Sequence, residues 1–310
     1  PLTEHNSLFS VQRGLVMANF PTWYLLFSRV LFCVKTEHLL LAIGFNVLYF
    51  SSRGSRRFIT AFSIFVVFWI IFDYMKAFPN YRYNQVHIES LYRAEKSAFG
   101  INVNGTTLTP NEYWLLHRNT FLDIVTGLFY LCWVPVPIAF AVYLFSKKRV
   151  LFLQFALSFL LVNLVGFVIY YVYPAAPPWY VQQHGFQFIQ GTPGNAAGLE
   201  NFDRFFQAGI FKGLYGKSSN VFAAMPSLHA AYMLIVLFYG LKYKLGWFNI
   251  IFAVIMLGIW FSAIYSSHHY VLDVLAGIAC AIFVIGLFQW LLLKSARMKK
   301  FVQQFDKAIA

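Results

Sequence analysis

The sequence predicts an all-α integral membrane protein, a polytopic bundle of about seven to eight spanning helices. Of the 310 residues, 59% are hydrophobic and 20% aromatic, whereas only 11% are charged, and the mean hydropathy is +0.61. These values exceed what the core of a water-soluble domain requires. Apolar runs such as FITAFSIFVVFWIIF and DVLAGIACAIFVIGLFQWLLL approach or exceed the length that crosses a bilayer, where only a helix satisfies their backbone polar groups.

Seven stretches have the composition of membrane spans: residues 38–52, 58–78, 121–146, 150–173, 224–243, 247–265 and 269–293. Residues 20–34, which include Arg29, are predicted to form either a helix at the membrane interface or an eighth span. Pro135 and Pro137 should kink the predicted helix over residues 121–146. The expected organisation is an N-terminal interfacial or membrane segment (1–37), a membrane-embedded domain (38–293) and a basic cytoplasmic tail (294–310).

The distribution of the net charge of +13 indicates orientation rather than a nucleic-acid partner. The basic residues gather in four clusters: Arg53, Arg56 and Arg57; Lys147, Lys148 and Arg149; Lys242 and Lys244; and Lys294, Arg297, Lys299, Lys300 and Lys307. If the intervening segments span, these clusters share one face, which the positive-inside rule makes cytoplasmic. The long connections 79–120 and 174–222 and the short connection 266–268 then share the opposite face. We expect an amphipathic surface helix, HIESLYRAEKSAFGI, in the first of them.

Two stretches on this non-cytoplasmic face combine histidine with the start of a helix. In AAMPSLHAAY (223–232), Ser227 can cap the first turn, and His229 then lies beside free backbone N–H groups that favour phosphate. In YSSHHYVLDVLAG (265–277), His269 and Asp273 are four residues apart. On a helix they would share a face, and the carboxylate would fix the tautomer of the imidazole and raise its basicity.

Two imidazoles at one face predict phosphoryl transfer in two displacement steps, in which one histidine attacks phosphorus and the other protonates the leaving oxygen. Three alternatives remain open at this point. The first is that His269 and Asp273 form a purely structural pair. The second is a metal site, which would need three or four ligands although acidic residues are scarce in this region. A transporter or channel would place its ionisable residues along a path through the bilayer rather than at one face.

These motifs carry a resemblance to a known family. PSLH, followed some forty residues later by HHYVLDVLAG, resembles the type 2 phosphatidate phosphatase superfamily. YPAAPPWY, FAAMPSLHAA and SSHHYVLDVLAG, with the run AEKSAFGINVNGTTLTPNEYWLLHRNTFLDIVTGLFY, resemble more narrowly its inositol phosphorylceramide synthase (aureobasidin-sensitive) branch. The resemblance covers about residues 90–293.

The resemblance implies a six-helix core, no cofactor and roles for three residues. His269 would be the nucleophile, Asp273 its orienting carboxylate and His229 the acid that protonates the departing alcohol. The donor would be phosphatidylinositol, and ceramide or a similar lipid alcohol would be the acceptor. A lipid phosphate phosphatase, which uses water as acceptor, would employ the same three residues and is the alternative function.

The sequence departs from the phosphatase pattern in its basic residues. The lysine-and-arginine element before PSLH is absent, and Ala263 stands where an arginine is expected six residues before the nucleophile. This favours the synthase branch and requires another source of positive charge for the phosphoryl group. The expected substrate-binding residues are Ser227, His268, Arg204, Lys217, Tyr180 and Asp123, and Lys212 and Arg118 are further candidate cations.

Overall fold

The computed structural model describes residues 19–31, 34–216 and 220–310. The described chain is helical except for one small hairpin and the connections, as the sequence predicts. The elements are α1 (19–31), α2 (Thr36–Ser51), α3 (Arg53–Tyr74), α4 (Glu89–Phe99), β1 (Ile101–Val103), β2 (Thr106–Leu108), α5 (Pro110–Leu116), α6 (Thr120–Leu131), α7 (Pro135–Lys147), α8 (Arg149–Val172), α9 (Pro178–His184), α10 (Glu200–Phe205), α11 (Ile210–Gly216), α12 (Leu228–Tyr243), α13 (Phe248–Tyr265), α14 (Val271–Lys294) and α15 (Ala296–Ala308).

The chain forms two compact units. The first comprises the described part of Pro1–Phe78 together with Gln303–Ala310, and the second is Pro79–Val302. Within the first unit α2 packs against α3, and Asp73 pairs with His38 at 2.9 Å and with Lys76 at 2.8 Å. Whether α1 lies at the interface or spans the membrane stays a prediction.

Among the described residues, five helical stretches are long and apolar enough to cross a membrane, namely Arg53–Ala77, Thr120–Lys147, Arg149–Val172, Phe248–Tyr265 and Val271–Lys294. The other two predicted spans are helices of 16 residues each, α2 and α12. Helix α12 starts at Leu228, later than the predicted span over 224–243, because the residues before it form a turn that ends at the Ser227 cap. The protein is an integral membrane protein.

The predicted kink at the two prolines is a break between two helices. Helix α6 ends at Leu131, where the Cys132 N–H donates to the carbonyl oxygen of Phe129 at 3.0 Å, and α7 begins with Pro135 as its first residue. A proline at this position leaves no N–H unsatisfied, since the first N–H groups of a helix lack intrahelical acceptors anyway.

Helix α12 lies inside the bundle of the second unit. It packs against α7, α8, α13 and α14, and α6 packs against α13. The approach of α14 to α12 is closest at Gly277, because a Cβ atom at this position would lie only 2.1 Å from the Ser227 carbonyl oxygen. Small residues allow such close backbone contacts between membrane helices.

The connections at one end of this bundle are joined by main-chain hydrogen bonds. The Ala175 N–H donates to Phe222 O at 2.9 Å, and Ala175 O accepts from Ala224 N at 3.3 Å. The Trp179 N–H donates to Ser267 O at 3.0 Å. The segments after α8, before α12 and between α13 and α14 therefore form one frame, and both predicted histidine motifs belong to it.

Candidate active site

His229 lies in the first turn of α12, as predicted. Ser227 is the N-cap, and its hydroxyl accepts a hydrogen bond from the Ala230 N–H at 3.4 Å. The backbone N–H groups of Leu228 and His229 have no hydrogen-bond partner among the described residues. The α12 N-terminus therefore presents two free donors and the positive end of the helix dipole beside the imidazole.

His269 does not lie on a helix, which corrects the expectation that it stacks on a helical face with Asp273. Helix α14 begins at Val271 with Tyr270 as N-cap, so His269 precedes the cap. The Asp273 Oδ2 atom accepts a hydrogen bond from the Tyr270 N–H at 2.8 Å and lies 3.6 Å from His269 Nδ1. The pair forms across the helix N-terminus at ion-pair rather than hydrogen-bond distance.

The two predicted histidines meet. His229 Nδ1 lies 3.2 Å from His269 Nε2, although forty residues separate them. The same Nδ1 atom lies 3.2 Å from the hydroxyl oxygen of Tyr130, and the Trp133 ring meets His229 edge-on with the centroids 4.4 Å apart. Tyr130 is fully buried. Sequence reasoning did not single out Tyr130 and Trp133, because the sequence of α6 and α7 is one uninterrupted apolar run.

His268 is buried beside this pair and is neutral. Its Nε2–H donates to the Ala196 carbonyl oxygen at 2.9 Å, and its ring stacks on Tyr215 with centroids 4.3 Å apart. Burial, followed by the neighbouring charge of His269, lowers the pKa of His268 to about 3. Desolvation disfavours the imidazolium form at this position, and the binding of the phosphoryl group by His268 stays a prediction.

Three other expected site residues have structural partners. Tyr180 is fully buried, and its hydroxyl donates to Gln187 O and accepts from Ile189 N, both at 2.8 Å. Asp123 accepts hydrogen bonds from Tyr265 at 3.0 Å and Asn201 at 3.2 Å. Ser227, also fully buried, is occupied as the cap of α12.

The candidate cations differ in their surroundings. Arg204 and Lys212 are exposed, and Lys217 lies outside the described residues. Arg118 is half-buried and lies against Gly198, where a Cβ atom would come within 2.6 Å of Arg118 Nη2 and 2.8 Å of the Ser266 Cα atom. Its Nε atom is buried without a hydrogen-bond partner. Gly198 thus lies close both to Arg118 and to Ser266, which begins the turn carrying His268 and His269.

Two buried polar side chains from the first connection hold the catalytic segment. Glu95 accepts hydrogen bonds from the Val271 and Leu272 N–H groups at 2.9 and 3.0 Å, which caps α14. Asn111 donates to Ile264 O at 2.8 Å and His269 O at 2.9 Å. Burial raises the pKa of Glu95, and its two backbone hydrogen bonds oppose that shift.

Sequence reasoning missed both residues, although the sequence contains a signal for one of them. Glu95 follows Leu91 by four residues, so it lies on the apolar stripe of the amphipathic helix α4, and both side chains are buried. A carboxylate on such a stripe indicates a buried partner. Asn111 follows the Thr109 capping box of α5, a motif that predicts where a helix starts but not what its side chains bind.

The chain is similar to known proteins over most of its length. The family model of the PAP2 superfamily matches residues 89–287. The chain is 46% identical over 288 residues to a phosphoinositol dihydroceramide synthase of Bacteroides thetaiotaomicron, which covers 92% of this chain and 94% of that protein. It is 27% identical over 298 residues to the inositol phosphorylceramide synthase catalytic subunit AUR1 of Saccharomyces cerevisiae, covering 89% and 69% of the two chains.

A further relative is the inositol phosphorylceramide synthase of Candida albicans, which is 29% identical over 172 residues, or 51% of this chain and 36% of that protein. No solved structure matches the chain. The matched family region contains α12, the turn before α14 and Asp273, and hence both histidines. By this match and by the Bacteroides relative, the chain belongs to the PAP2 superfamily.

Proposed function

We propose that the protein is a lipid phosphotransferase that moves a phosphoinositol headgroup from phosphatidylinositol to ceramide or a similar lipid alcohol through a phosphohistidine. The observation that carries this proposal is the contact of His229 with His269, with Asp273 on the far side of His269. The relatives are named inositol phosphorylceramide and phosphoinositol dihydroceramide synthases, which supports a lipid alcohol rather than water as the acceptor.

In the first step His269 Nε2 attacks phosphorus. Asp273 faces Nδ1, keeps the proton there and leaves the Nε2 lone pair free for the attack. As the N–P bond forms, the bond between phosphorus and the diacylglycerol oxygen breaks. His229 enters this step as an imidazolium with a proton on each nitrogen. It gives its Nδ1 proton to that oxygen and becomes neutral, so diacylglycerol leaves as a neutral alcohol.

In the second step the primary hydroxyl of ceramide attacks the phosphohistidine. His229, now neutral with a lone pair on Nδ1, takes the hydroxyl proton as the new O–P bond forms and the N–P bond breaks. This restores both histidines to their starting protonation states. The same groups thus act in reverse order in the two half-reactions.

The negative charge of the phosphoryl group needs electrostatic stabilisation. Two features of the site support such a role. The N–H groups of Leu228 and His229 are free at the start of α12, and the Arg118 guanidinium lies against Gly198, next to Ser266 of the 266–269 turn. The N-terminus of α14 offers no comparable donors, because Glu95 and Asp273 occupy its first N–H groups. Fixed donors and charges of this kind are a large catalytic contribution.

The proposed site lies on the non-cytoplasmic side of the membrane. Both histidines belong to helix ends opposite the basic clusters of the second unit, which follow the C-terminal ends of α7, α12 and α14. The positive-inside rule assigns those clusters to the cytoplasm. Chemistry would then occur at the periplasmic face in a bacterium or in the Golgi lumen in a eukaryote.

The test is a headgroup-transfer assay on detergent-purified protein with phosphatidylinositol and fluorescent ceramide, run in parallel with phosphatidic acid hydrolysis. We expect a phosphorylated ceramide product from the wild type and none from His269→Ala. Phosphate release without a ceramide product would instead establish the phosphatase alternative. Wild-type-like transfer by His269→Ala would refute the nucleophile assignment.

A further inference from the structure

We propose that Tyr130 is a positioning residue for His229, in the same sense that Asp273 is for His269. This inference rests on the proposed function, because it concerns the proton that His229 gives to the leaving alcohol. The reaction needs that proton on a specific nitrogen in the first step and needs a lone pair there in the second. The Tyr130 hydroxyl can partner the nitrogen in both states.

The contact is short, buried and directed at the reacting nitrogen. Tyr130 Oη lies 3.2 Å from His229 Nδ1, the atom that also faces His269 Nε2 at 3.2 Å. The side chain of Tyr130 is fully buried, and Trp133, three residues further along the chain, contacts the His229 ring edge-on. The contact therefore favours the ring orientation in which Nδ1 points at His269.

The protonation states follow from the neighbours of each nitrogen. His269 Nδ1 faces a carboxylate and holds a proton, so Nε2 carries a lone pair. That lone pair faces His229 Nδ1, which therefore carries a proton at rest and shares it with His269 Nε2 and the Tyr130 hydroxyl oxygen. When diacylglycerol takes this proton, Nδ1 gains a lone pair, and the Tyr130 O–H can rotate to donate to it.

A hydroxyl suits this position better than a carboxylate. A hydroxyl both donates and accepts, whereas an ionised carboxylate only accepts. A carboxylate beside His229 would also stabilise the imidazolium and so weaken it as an acid. The two histidines thus have partners that suit their roles. The nucleophile His269 faces a carboxylate, and His229, which alternates between acid and base, faces a neutral hydroxyl that can both donate and accept a hydrogen bond.

The experiment compares Tyr130→Phe on two donors that differ in the leaving group. Phosphatidylinositol releases an alkoxide that needs a proton, whereas the para-nitrophenyl phosphodiester of inositol releases a phenolate that does not. We measure kcat for the first half-reaction alone, as release of the leaving group in a single turnover without ceramide, because His229 acts as the base of the second half-reaction with either donor. We expect Tyr130→Phe to lower this kcat on phosphatidylinositol by about tenfold, with KM unchanged, since one hydrogen bond is lost in the transition state. The loss on the para-nitrophenyl donor should be much smaller.

Two controls separate this role from simple loss of a buried hydroxyl. Tyr239→Phe removes a hydroxyl that contacts Ser158 and Gln154 O at 2.8 and 3.0 Å, and it should show no dependence on the leaving group. His229→Ala should show the dependence more strongly than Tyr130→Phe. Equal losses on both donors in Tyr130→Phe, or an unchanged kcat on phosphatidylinositol, would overturn the proposal for Tyr130.

The result for His229→Ala distinguishes the two proposals. If His229→Ala loses activity equally on both donors, the acid role of His229 fails, and the mechanism fails together with the role of Tyr130. If His229→Ala depends on the leaving group and Tyr130→Phe does not, only the inference about Tyr130 fails.

Discussion

Replacing Gly277 by alanine should separate the two helices that carry the catalytic groups. A Cβ atom at Gly277 would lie 2.1 Å from the Ser227 carbonyl oxygen, whereas ordinary van der Waals contact begins at 3.4 Å. The atom it meets is backbone and cannot rotate away, so α12 and α14 must move apart locally by about 1.3 Å. The hydrogen bond from Ser227 N to Asp273 O, 2.9 Å long, crosses the same contact.

The expected magnitude follows from this displacement. Overpacking a close contact costs about 1–3 kcal/mol of stability. Because His229 is carried by α12 and Asp273 by α14, a separation near 1 Å also changes the 3.2 Å contact between His229 and His269. A misplacement of that size lowers catalytic rates by about 10²-fold. We therefore expect Gly277→Ala to reduce kcat far more than its loss of stability would suggest.

Gly286→Ala is the matched control, because Gly286 lies on the same helix and a Cβ atom there meets nothing within 4 Å. Both variants should be purified in the same detergent and compared by thermal unfolding and by headgroup transfer. Gly286→Ala should be as active as the wild type and equally or slightly more stable, since alanine favours a helix by about 0.5–1 kcal/mol over glycine. Equal activity of the two variants would refute the argument that this contact sets the catalytic geometry.

The remaining predictions concern the groups that surround the histidine pair. Asp273→Asn should lower kcat by about 10³-fold or more while the protein stays folded, because an amide holds the wrong tautomer of His269; an unchanged rate would make the pair structural. Glu95→Gln places an amide NH₂ group towards one N–H of α14, so it should cost about 1–3 kcal/mol of stability and lower kcat. A melting temperature equal to that of the wild type would exclude a capping role for Glu95. The folded-state pKa of His268, about 3, lies below its ordinary value of 6.5, so the unfolded chain binds a proton that the folded chain does not. The stability of the wild type should therefore fall as the pH falls from 6.5 towards 3, and His268→Gln should weaken this dependence in thermal unfolding at pH 7 and pH 5.

The features that could be predicted from the sequence depend on local spacing. The apolar runs predict the helices because each must satisfy its own backbone in lipid. The PSLH motif predicts the cap at Ser227 and the place of His229, since capping involves residues only three apart. The meeting of His229 with His269 follows because the hairpin of α12 and α13 returns the chain to the face where α12 begins, and His269 lies just before α14 on that face.

The features that could not be predicted are contacts between distant segments. Glu95 and Asn111 bind backbone groups more than 150 residues away along the chain, and no spacing rule reaches that far. The burial of Tyr180 could not be predicted, because its hydroxyl bonds backbone groups of Gln187 and Ile189 in the loop that follows. The surroundings of His268 could not be predicted, because the turn before α14 replaces the assumed helix and places its ring between Tyr130 and Tyr215.

The main-chain bonds from Ala175 to Phe222 and from Trp179 to Ser267 also determine when the two histidines can meet during synthesis. The segments that they connect leave the ribosome at well-separated times, and the last of them lies between the final two membrane helices. Membrane insertion proceeds from the N-terminus, so the proposed site cannot close before that hairpin has crossed the bilayer. A nascent chain therefore lacks the paired histidines of the proposed site while it is still within the insertion machinery.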